Sequence, residues 1–184
     1  MTRSTATNGR SRIRLHAPQR LAPIGLLALT GLLPARALLA QETGQEEDRT
    51  AVLEVVERLF DGMRANDGEM VRSVFVEGAS LVSTENREGE PVTRLIPTDG
   101  FAQAVDEATI PWDEPVWDPI VQVRDHLATV WVKYAFYAGE EFSHCGVDAF
   151  ILARQPDGEW KIAALADTRQ REDCEFPPDR DPGR

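Results

Sequence analysis

The sequence predicts an α+β domain in which three helices pack against an antiparallel sheet. Apolar residues recur every three or four positions over residues 48–66 and again over 98–108, which is typical of amphipathic helices. From residue 79 most apolar residues alternate with polar ones, in runs separated by Gly, Asp and Asn, which is typical of strands and hairpins. A chain of 184 residues with 42% hydrophobic residues is long enough for one such core.

The N-terminal segment has the layout of a signal peptide. Residues 1–40 contain six arginines and no acidic residue, and an apolar run over 26–33 is followed by small residues. This order favours cleavage after Ala37 or Ala40 and export to the periplasm or beyond the cell. The run is too short to cross a bilayer comfortably, so we expect no stable membrane span after cleavage; an uncleaved anchor is the alternative.

The domain boundaries follow from this layout. Residues 1–40 form the signal peptide, 41–47 a polar linker, 48–176 the folded domain and 177–184 a disordered tail. Residues 41–184 carry 14 Lys and Arg against 31 Asp and Glu, a formal charge of −17, while the whole chain carries −11. Because such a surface repels phosphate backbones, nucleic acid is excluded as an expected partner.

Capping residues set the expected helix ends. Asp48 or Thr50 is placed to cap the first helix, which ends at Asn66. Asn66 is placed to cap a short second helix, with Glu69 completing a capping box. Thr98 is placed to cap the third helix, before Pro111.

Six strands are expected, two in a first hairpin over 81–96 and four in the remaining chain. The last four are Val116–Arg124, Leu127–Tyr137, Phe142–Arg154 and Trp160–Arg169. Turns of even length place Ile120 opposite Trp131, Trp131 opposite Asp148, Asp148 opposite Asp167, and Asp118 opposite Lys133. This register predicts one polar, titratable face. The other face, expected to pack on the helices, carries Val121, Val123, Val130, Val132, Val147, Ala149, Ile151, Ala164 and Ala166.

Three residues of the polar face are catalytic candidates. Asp148 and Asp167 lie side by side, and two neighbouring carboxylates hinder each other's ionisation, which an acid/base catalyst exploits. His144 precedes Asp148 by four residues on the same face and could act as general base. The alternatives are a solvated, charged sheet face and a structural histidine.

Metal and cofactor sites are not expected. Beyond residue 40 the only histidines are His126 and His144, too few for a cluster of three or four ligands. The sequence contains neither a glycine-rich phosphate loop nor a nucleophile elbow.

Aromatic residues crowd the middle of the chain and could line a ligand cavity. They are Trp112, Trp117, Trp131, Tyr134, Phe136 and Tyr137. Of these, Trp117, Trp131, Tyr134 and Tyr137 are the candidate ligand-binding residues. The alternative is that all six fill the core.

Two cysteines are present, Cys145 and Cys174. The predicted register pairs residue 145 near residue 170, and Cys174 follows soon after, so an exported chain is expected to bond them. Two unrelated thiols are the alternative.

Several segments resemble the nuclear transport factor 2-like superfamily. They are the run Trp131–Tyr137, the His-Cys-Gly-Val-Asp sequence of residues 144–148, and the later Trp160, Asp167–Arg169 and Cys174. Within it they are most similar to the putative lumazine-binding and SnoaL-like branch. The resemblance implies a cone-shaped, curved sheet wrapped on helices, a cavity at the open end and frequent dimerisation. The chain departs from the branch at Lys133 and Ala135, where a small residue and an acid are common.

Three functions are compatible with this resemblance. The first is binding of a small apolar or aromatic molecule in the cone without chemistry. The second is an acid/base isomerase, cyclase or dehydratase of SnoaL or ketosteroid-isomerase type. The third is a homodimeric interaction module, in which the polar and aromatic sheet face is buried against a second copy.

Overall fold

A curved, seven-stranded sheet with three helices on its inner face makes up the fold. The structure is a computed structural model that describes residues 33–177 and residue 180. The helices are α1 (Leu33–Ala65), α2 (Gly68–Ser73) and α3 (Thr98–Glu107). The strands are β1 (Phe75–Arg87), β2 (Glu90–Pro97), β3 (Trp112–Asp113), β4 (Val116–Arg124), β5 (Leu127–Ala138), β6 (Glu141–Arg154) and β7 (Trp160–Arg169). The predicted α+β class is confirmed.

The sheet is mixed, not wholly antiparallel as expected. Its order is β2-β1-β7-β6-β5-β3, with β4 also paired to β5. The hairpin of β1 and β2 lies beside the last strand, and β1 runs parallel to β7 with Leu81 opposite Leu165. All other pairs are antiparallel. Turn signals predict pairing between neighbours in sequence, and they say nothing about strands that meet across 80 residues.

All three helix starts differ from the predicted ones. Helix α1 begins at Leu33, not at residue 48, and the expected linker 41–47 is helical. Thr50 Oγ1 donates to the Glu46 carbonyl at 3.0 Å, a bond within the helix and not a cap. The Gln and Glu residues of this stretch favour helix, which explains the extension.

Helix α2 is capped by Asp67, whose carboxylate accepts from the Met70 amide at 2.8 Å. Asn66 cannot cap it because it closes α1 in the left-handed region, at φ 55°. Its side chain donates instead to the carbonyls of Ala108 and Ile110. Thr98 is likewise the first residue of α3, after Pro97 at the cap position.

The predicted register holds at two of four positions, and it fails at Lys133, which pairs with Trp117 and not with Asp118, and between β5 and β6. Ile120 pairs with Trp131, and Asp148 pairs with Asp167, as expected. Trp131, however, pairs with Ala149 and not with Asp148. The turn closes as predicted, with Ala138 opposite Glu141, but an irregularity between Phe136 and Tyr137 then shifts the pairing by one residue. One extra residue in a strand reverses which side chains share a face beyond it.

This shift puts the acids inside the fold and the large apolar residues of β6 partly outside. Asp148 lies on the inner face with Val132, while Trp131 and Ile151 are exposed on the outer face. The expected helix-facing set therefore divides: Val130 and Val132 face inwards, whereas Val147, Ala149 and Ile151 do not join them. The core joins the inner face to α1, where the ring of Phe60 meets that of Phe150 edge-on with centroids 6.2 Å apart.

A disulfide ties the chain beyond β7 to the sheet. Cys145 and Cys174 are bonded, with Cα atoms 5.9 Å apart, which confirms the predicted pairing. Gln170 forms a bridge with Cys145, as the register predicted. Of the tail expected to be disordered, Pro177 and Arg180 are described, and Arg180 forms an ion pair with Asp113. The predicted signal peptide lies mostly outside the described residues, and no helix within residues 33–177 has the length and apolarity of a membrane span.

Candidate functional site

A cavity of about 1230 Å³ opens between the concave face of the sheet and the helices. Helix α1 contributes Leu59, Phe60 and Met63 to its wall, and α3 contributes Phe101. The sheet contributes residues from β1, β2, β5, β6 and β7, and the segment 170–173 completes the mouth. Its size falls just above the usual range of small-molecule pockets, and one side is open to solvent.

Aromatic rings form one wall of this cavity. Trp112 of β3 packs against Phe136 edge-on, with ring centroids 5.9 Å apart, and against Phe101 at 6.3 Å. The short strand β3 sets the position of Trp112 by pairing it with Ala138. These rings present apolar surface to any molecule that enters.

Two hydrogen-bonded carboxyl groups, Glu114 and Asp148, also line the cavity. Asp148 is 2% exposed and shares a hydrogen bond with Glu114, which lies half-buried between β3 and β4. Burial raises the pKa of Glu114 to about 8, with the hydrogen bond from Asp148 opposing and the charge of Asp167 adding to the shift. Burial, then the charge of Glu114, raises the pKa of Asp148 well above its ordinary value.

The carboxyl pair leaves one of its oxygens free to bond a ligand. Asp148 Oδ2 is buried and has no hydrogen-bond partner among the described residues. A buried carboxyl oxygen left without a partner costs free energy, which a bound ligand or water can recover.

Asp167 lies beside Asp148 but is held differently. Arg169 donates to both of its carboxylate oxygens, from Nη2 at 2.9 Å and from Nε at 3.2 and 3.3 Å. These bonds, together with the charge of Asp167, keep the pKa of Arg169 above its ordinary value although burial lowers it. The cavity thus holds a hydrogen-bonded carboxyl pair with raised pKa values next to one ion pair.

His144 is a neutral group at the cavity wall. Burial, then the charge of Arg169, lowers its pKa to about 4. Its Nδ1 lies 3.0 Å from Ser143 Oγ, and its ring packs on Phe136 with centroids 5.0 Å apart. A neutral imidazole can accept a proton as well as donate one through its second nitrogen.

The structure brings the three catalytic candidates together and separates the four predicted ligand-binding residues. His144, Asp148 and Asp167 all line the main cavity. Trp117 and Tyr134 border a smaller pocket of about 120 Å³ beside the disulfide, and the buried Tyr134 hydroxyl donates to the Thr168 carbonyl at 2.7 Å. Trp131 is 51% exposed on the outer face. Tyr137 packs on Phe142 beside the chain end.

Sequence reasoning missed several lining residues. Glu114 lies in a short connection with no periodic pattern, so nothing in the sequence indicates the direction of its side chain. Trp112 and Phe136 were in the aromatic group, yet the choice among its six members depended on the β5–β6 register. Within the described residues no group of His, Cys, Asp and Glu has the arrangement of a metal site.

Comparison with known proteins assigns the family. The family model described as putative lumazine-binding matches residues 47–166. This chain belongs to the putative lumazine-binding family. No curated protein is significantly similar to it in sequence.

Solved structures place this lumazine-binding family member in the nuclear transport factor 2-like fold. A protein from Novosphingobium aromaticivorans with a cystatin-like fold matches with a TM-score of 0.61 and 16% identity, over 77% of this chain and 94% of that one. A protein of unknown function from Shewanella baltica matches with a TM-score of 0.54 and 14% identity, over 68% and 96%. A putative dehydratase from Streptomyces avermitilis matches with a TM-score of 0.52 and 14% identity, over 68% and 98%. Such identities establish the fold alone.

Proposed function

We propose that this family member is an exported domain that binds a small, largely apolar or aromatic molecule in its cavity. The observation that carries the proposal is one open cavity lined both by aromatic rings, Phe101, Trp112 and Phe136, and by Asp148, whose Oδ2 has no hydrogen-bond partner among the described residues. Apolar surface supplies affinity and a few polar groups fix orientation, which is the usual composition of a ligand pocket. The family description adds a candidate ligand class, the fused heterocycle lumazine.

Thermal shift against lumazine and a panel of naphthalene, indole and steroid compounds tests the proposal. A ligand present at 100 times its Kd stabilises a protein by about 2.7 kcal/mol, which is readily detected. Trp112→Leu should weaken the shift, whereas Trp131→Leu should not because Trp131 lies on the outer face. Absence of a shift with every compound would contradict the proposal.

Acid/base catalysis is the second candidate, favoured by the hydrogen-bonded pair of Glu114 and Asp148. A protonated acid with a raised pKa can donate to a substrate oxygen, while a neighbouring group such as His144 removes a proton from carbon. That pair of roles suits isomerisation, cyclisation and dehydration. The dehydratase description of the Streptomyces avermitilis protein is compatible with it.

Deuterium exchange separates binding from catalysis. Any compound that stabilises the protein is incubated with it in D₂O, and incorporation at carbon is followed by mass spectrometry. Catalysis predicts exchange that Asp148→Asn abolishes while the thermal shift remains. Binding without exchange or turnover would remove the catalytic candidate.

Export is supported by the signal-like N-terminus and by the bond between Cys145 and Cys174, since disulfides persist in oxidising compartments. Expression of the full chain in a bacterium, followed by fractionation and intact mass measurement, tests this. The mature protein should begin at Leu38 or Gln41 and lack two hydrogens relative to the reduced chain. A full-length protein confined to the cytoplasmic fraction would contradict export.

A further inference from the structure

The mouth of the cavity carries four arginines, although the chain as a whole is acidic. Arg87, Arg94, Arg169 and Arg171 all line it, in a chain with a formal charge of −11. They come from β1, β2, β7 and the segment that follows β7. Elements distant in sequence thus bring guanidinium groups to one opening.

These arginines exceed the carboxylates that neutralise them. Glu85 is shared, with Oε1 at 2.8 Å from Arg87 Nε and 3.2 Å from Arg94 Nη2. Arg169 is occupied by Asp167, and the exposed Arg171 makes no ion pair with the described residues. Glu172 and Asp173 also border the mouth, but they are exposed and ion-pair with none of the four.

Arg87 lies further along β1 than the level of the carboxyl groups, and Arg171 follows the end of β7, whereas Arg94 of β2 pairs with Ser83 and so is level with Asp167. Ser83 is level with Asp167, and Glu85 is level with Arg169, in the register of β1 and β7. Arg87 is four residues beyond Ser83 on the same face of β1, which corresponds to about 13 Å. Guanidinium groups therefore begin at the level of the carboxyl groups, with Arg94, and continue about 13 Å further along β1, to Arg87.

We propose that the ligand is an apolar or aromatic molecule with an anionic group at one end, a carboxylate or a phosphate, held by Arg87, Arg94 and Arg171. This inference rests on the proposed binding function and names the chemistry of its ligand. Guanidinium groups match the geometry of carboxylate and phosphate, and two of these three share a single carboxylate. The distance from Ser83 to Arg87 suits a body of two or three fused or linked rings.

A matched pair of fluorescent probes tests the inference. 8-Anilinonaphthalene-1-sulfonate has an anionic group, and N-phenyl-1-naphthylamine has the same rings without it. We expect the anion to bind with a Kd at least tenfold lower, and 0.5 M salt to reduce that difference because it screens exposed charges. Displacement of one probe by the other shows that both occupy the same site.

Variants locate the effect. Arg94→Gln combined with Arg171→Gln should raise the Kd of the anion about tenfold and leave that of the neutral probe within twofold. Arg124→Gln changes an exposed arginine of β4 away from the cavity and should alter the Kd of neither probe. Trp131→Gln should also leave both Kd values unchanged, which would exclude binding of the probes at the outer face. Melting temperatures show that each variant is folded.

The outcomes separate this inference from the function on which it rests. Equal affinity for the two probes, or equal weakening of both by the arginine substitutions, would overturn the anionic ligand and leave the binding function standing. If neither probe binds the wild-type protein and the compound panel also fails, the binding function itself is wrong. Selective, salt-sensitive loss of the anion supports the inference.

Discussion

The inner face shows how neighbouring acids acquire different properties. Asp148 and Asp167 are directly opposed on adjacent strands, yet one is hydrogen-bonded to Glu114 and the other to Arg169. The contact with a guanidinium group makes Asp167 part of an ion pair. The contact with a second carboxyl group makes Asp148 a proton donor.

The carboxyl pair should make stability depend on pH above pH 6.5. Because the folded-state pKa of Glu114 is raised from 4.5 to about 8, the folded protein binds more protons than the unfolded chain between these values. This contribution is fully present below pH 4.5 and is lost as the pH rises through 8. His144, whose pKa is lowered from 6.5 to about 4, opposes this slope near pH 6.5, where the imidazole of the unfolded chain is half protonated, and the opposition fades above about pH 7.5. It is common to all the variants compared below.

Calorimetry at pH 6.5, 7.25 and 8 measures the slope. We expect the melting temperature of the wild type to fall over this range, and the fall to be much smaller in Glu114→Gln/Asp148→Asn. Glu54→Gln, an exposed residue of α1, is the control and should keep the wild-type slope. Equal slopes in the wild type and the double variant would refute the raised pKa of the pair.

Gly146 is required by a close approach between β6 and β7. A Cβ atom there would lie 1.9 Å from the carbonyl oxygen of Thr168, the same oxygen that accepts from Tyr134. Gly146→Ala must displace this backbone and should cost roughly 1–3 kcal/mol of unfolding free energy. Urea denaturation measures the loss. Gly100→Ala in α3 is the control, because a Cβ atom there would have its nearest neighbour at 4.0 Å, and it should be neutral or stabilising. A neutral or stabilising effect of Gly146→Ala would contradict the steric argument.

At the scale of elements, the C-terminal segment completes one side of the cavity mouth. Residues 170–173 border the cavity, and the segment is attached through the Cys145–Cys174 bond and the ion pair of Lys133 with Glu175, at 2.7 Å. Asp118 contacts the same lysine at 3.3 Å, so the two side chains form an ion pair although Trp117, and not Asp118 as predicted, is the residue opposite Lys133.

Removing the disulfide should destabilise the domain and loosen this segment. The bond closes a separation of 29 residues, and Cys145→Ser/Cys174→Ser should reduce the unfolding free energy by about 2–4 kcal/mol. Urea denaturation of the oxidised wild type, the reduced wild type and the variant measures it. Reduction should lower wild-type stability to that of the variant and leave the variant unchanged. A variant as stable as the oxidised protein would show that the bond constrains little.

At the scale of the molecule, the outer face of the sheet exposes large apolar side chains. Ile120 and Trp131 are opposed across β4 and β5 and are 61% and 51% exposed, and Ile151 is 44% exposed on β6. The homodimeric interaction module predicted from the sequence was to bury a sheet face that included Asp148. The acids of that face lie inside the fold, and the exposed apolar residues of the outer face remain available for contact with a second copy. A twofold contact brings the same patch from each copy together.

We expect the protein to dimerise through this outer face. Sedimentation velocity at about 5–50 μM should show a dimer, because burying exposed apolar surface is favourable by roughly 25 cal/mol per Å². Trp131→Glu should give a monomer, whereas Leu95→Glu, which changes an exposed residue of β2, should not. A wild-type monomer across this range would contradict dimerisation.

Local patterns in the sequence were sufficient for most elements. The bounds of β4 and β7 agree with the predicted ones, and the turn between β5 and β6 closes at the expected residues. The partner of Cys145 also followed from the register of β6 and β7. Alternation, turn residues and amphipathic spacing act over a few residues, so a single sequence records them directly.

The inner surface of the cavity was decided only by tertiary structure. The one-residue shift beyond Phe136 moved Asp148 to the inner face and left Trp131 on the outer one, and no periodic pattern marks where a strand takes an extra residue. Glu114 meets Asp148, and Arg94 meets Glu85, only because separate elements are brought together by burial of the shared core. Whether an acid is neutral, paired or solvated depends on those long-range contacts, since its pKa is set by the groups around it and not by its neighbours in sequence.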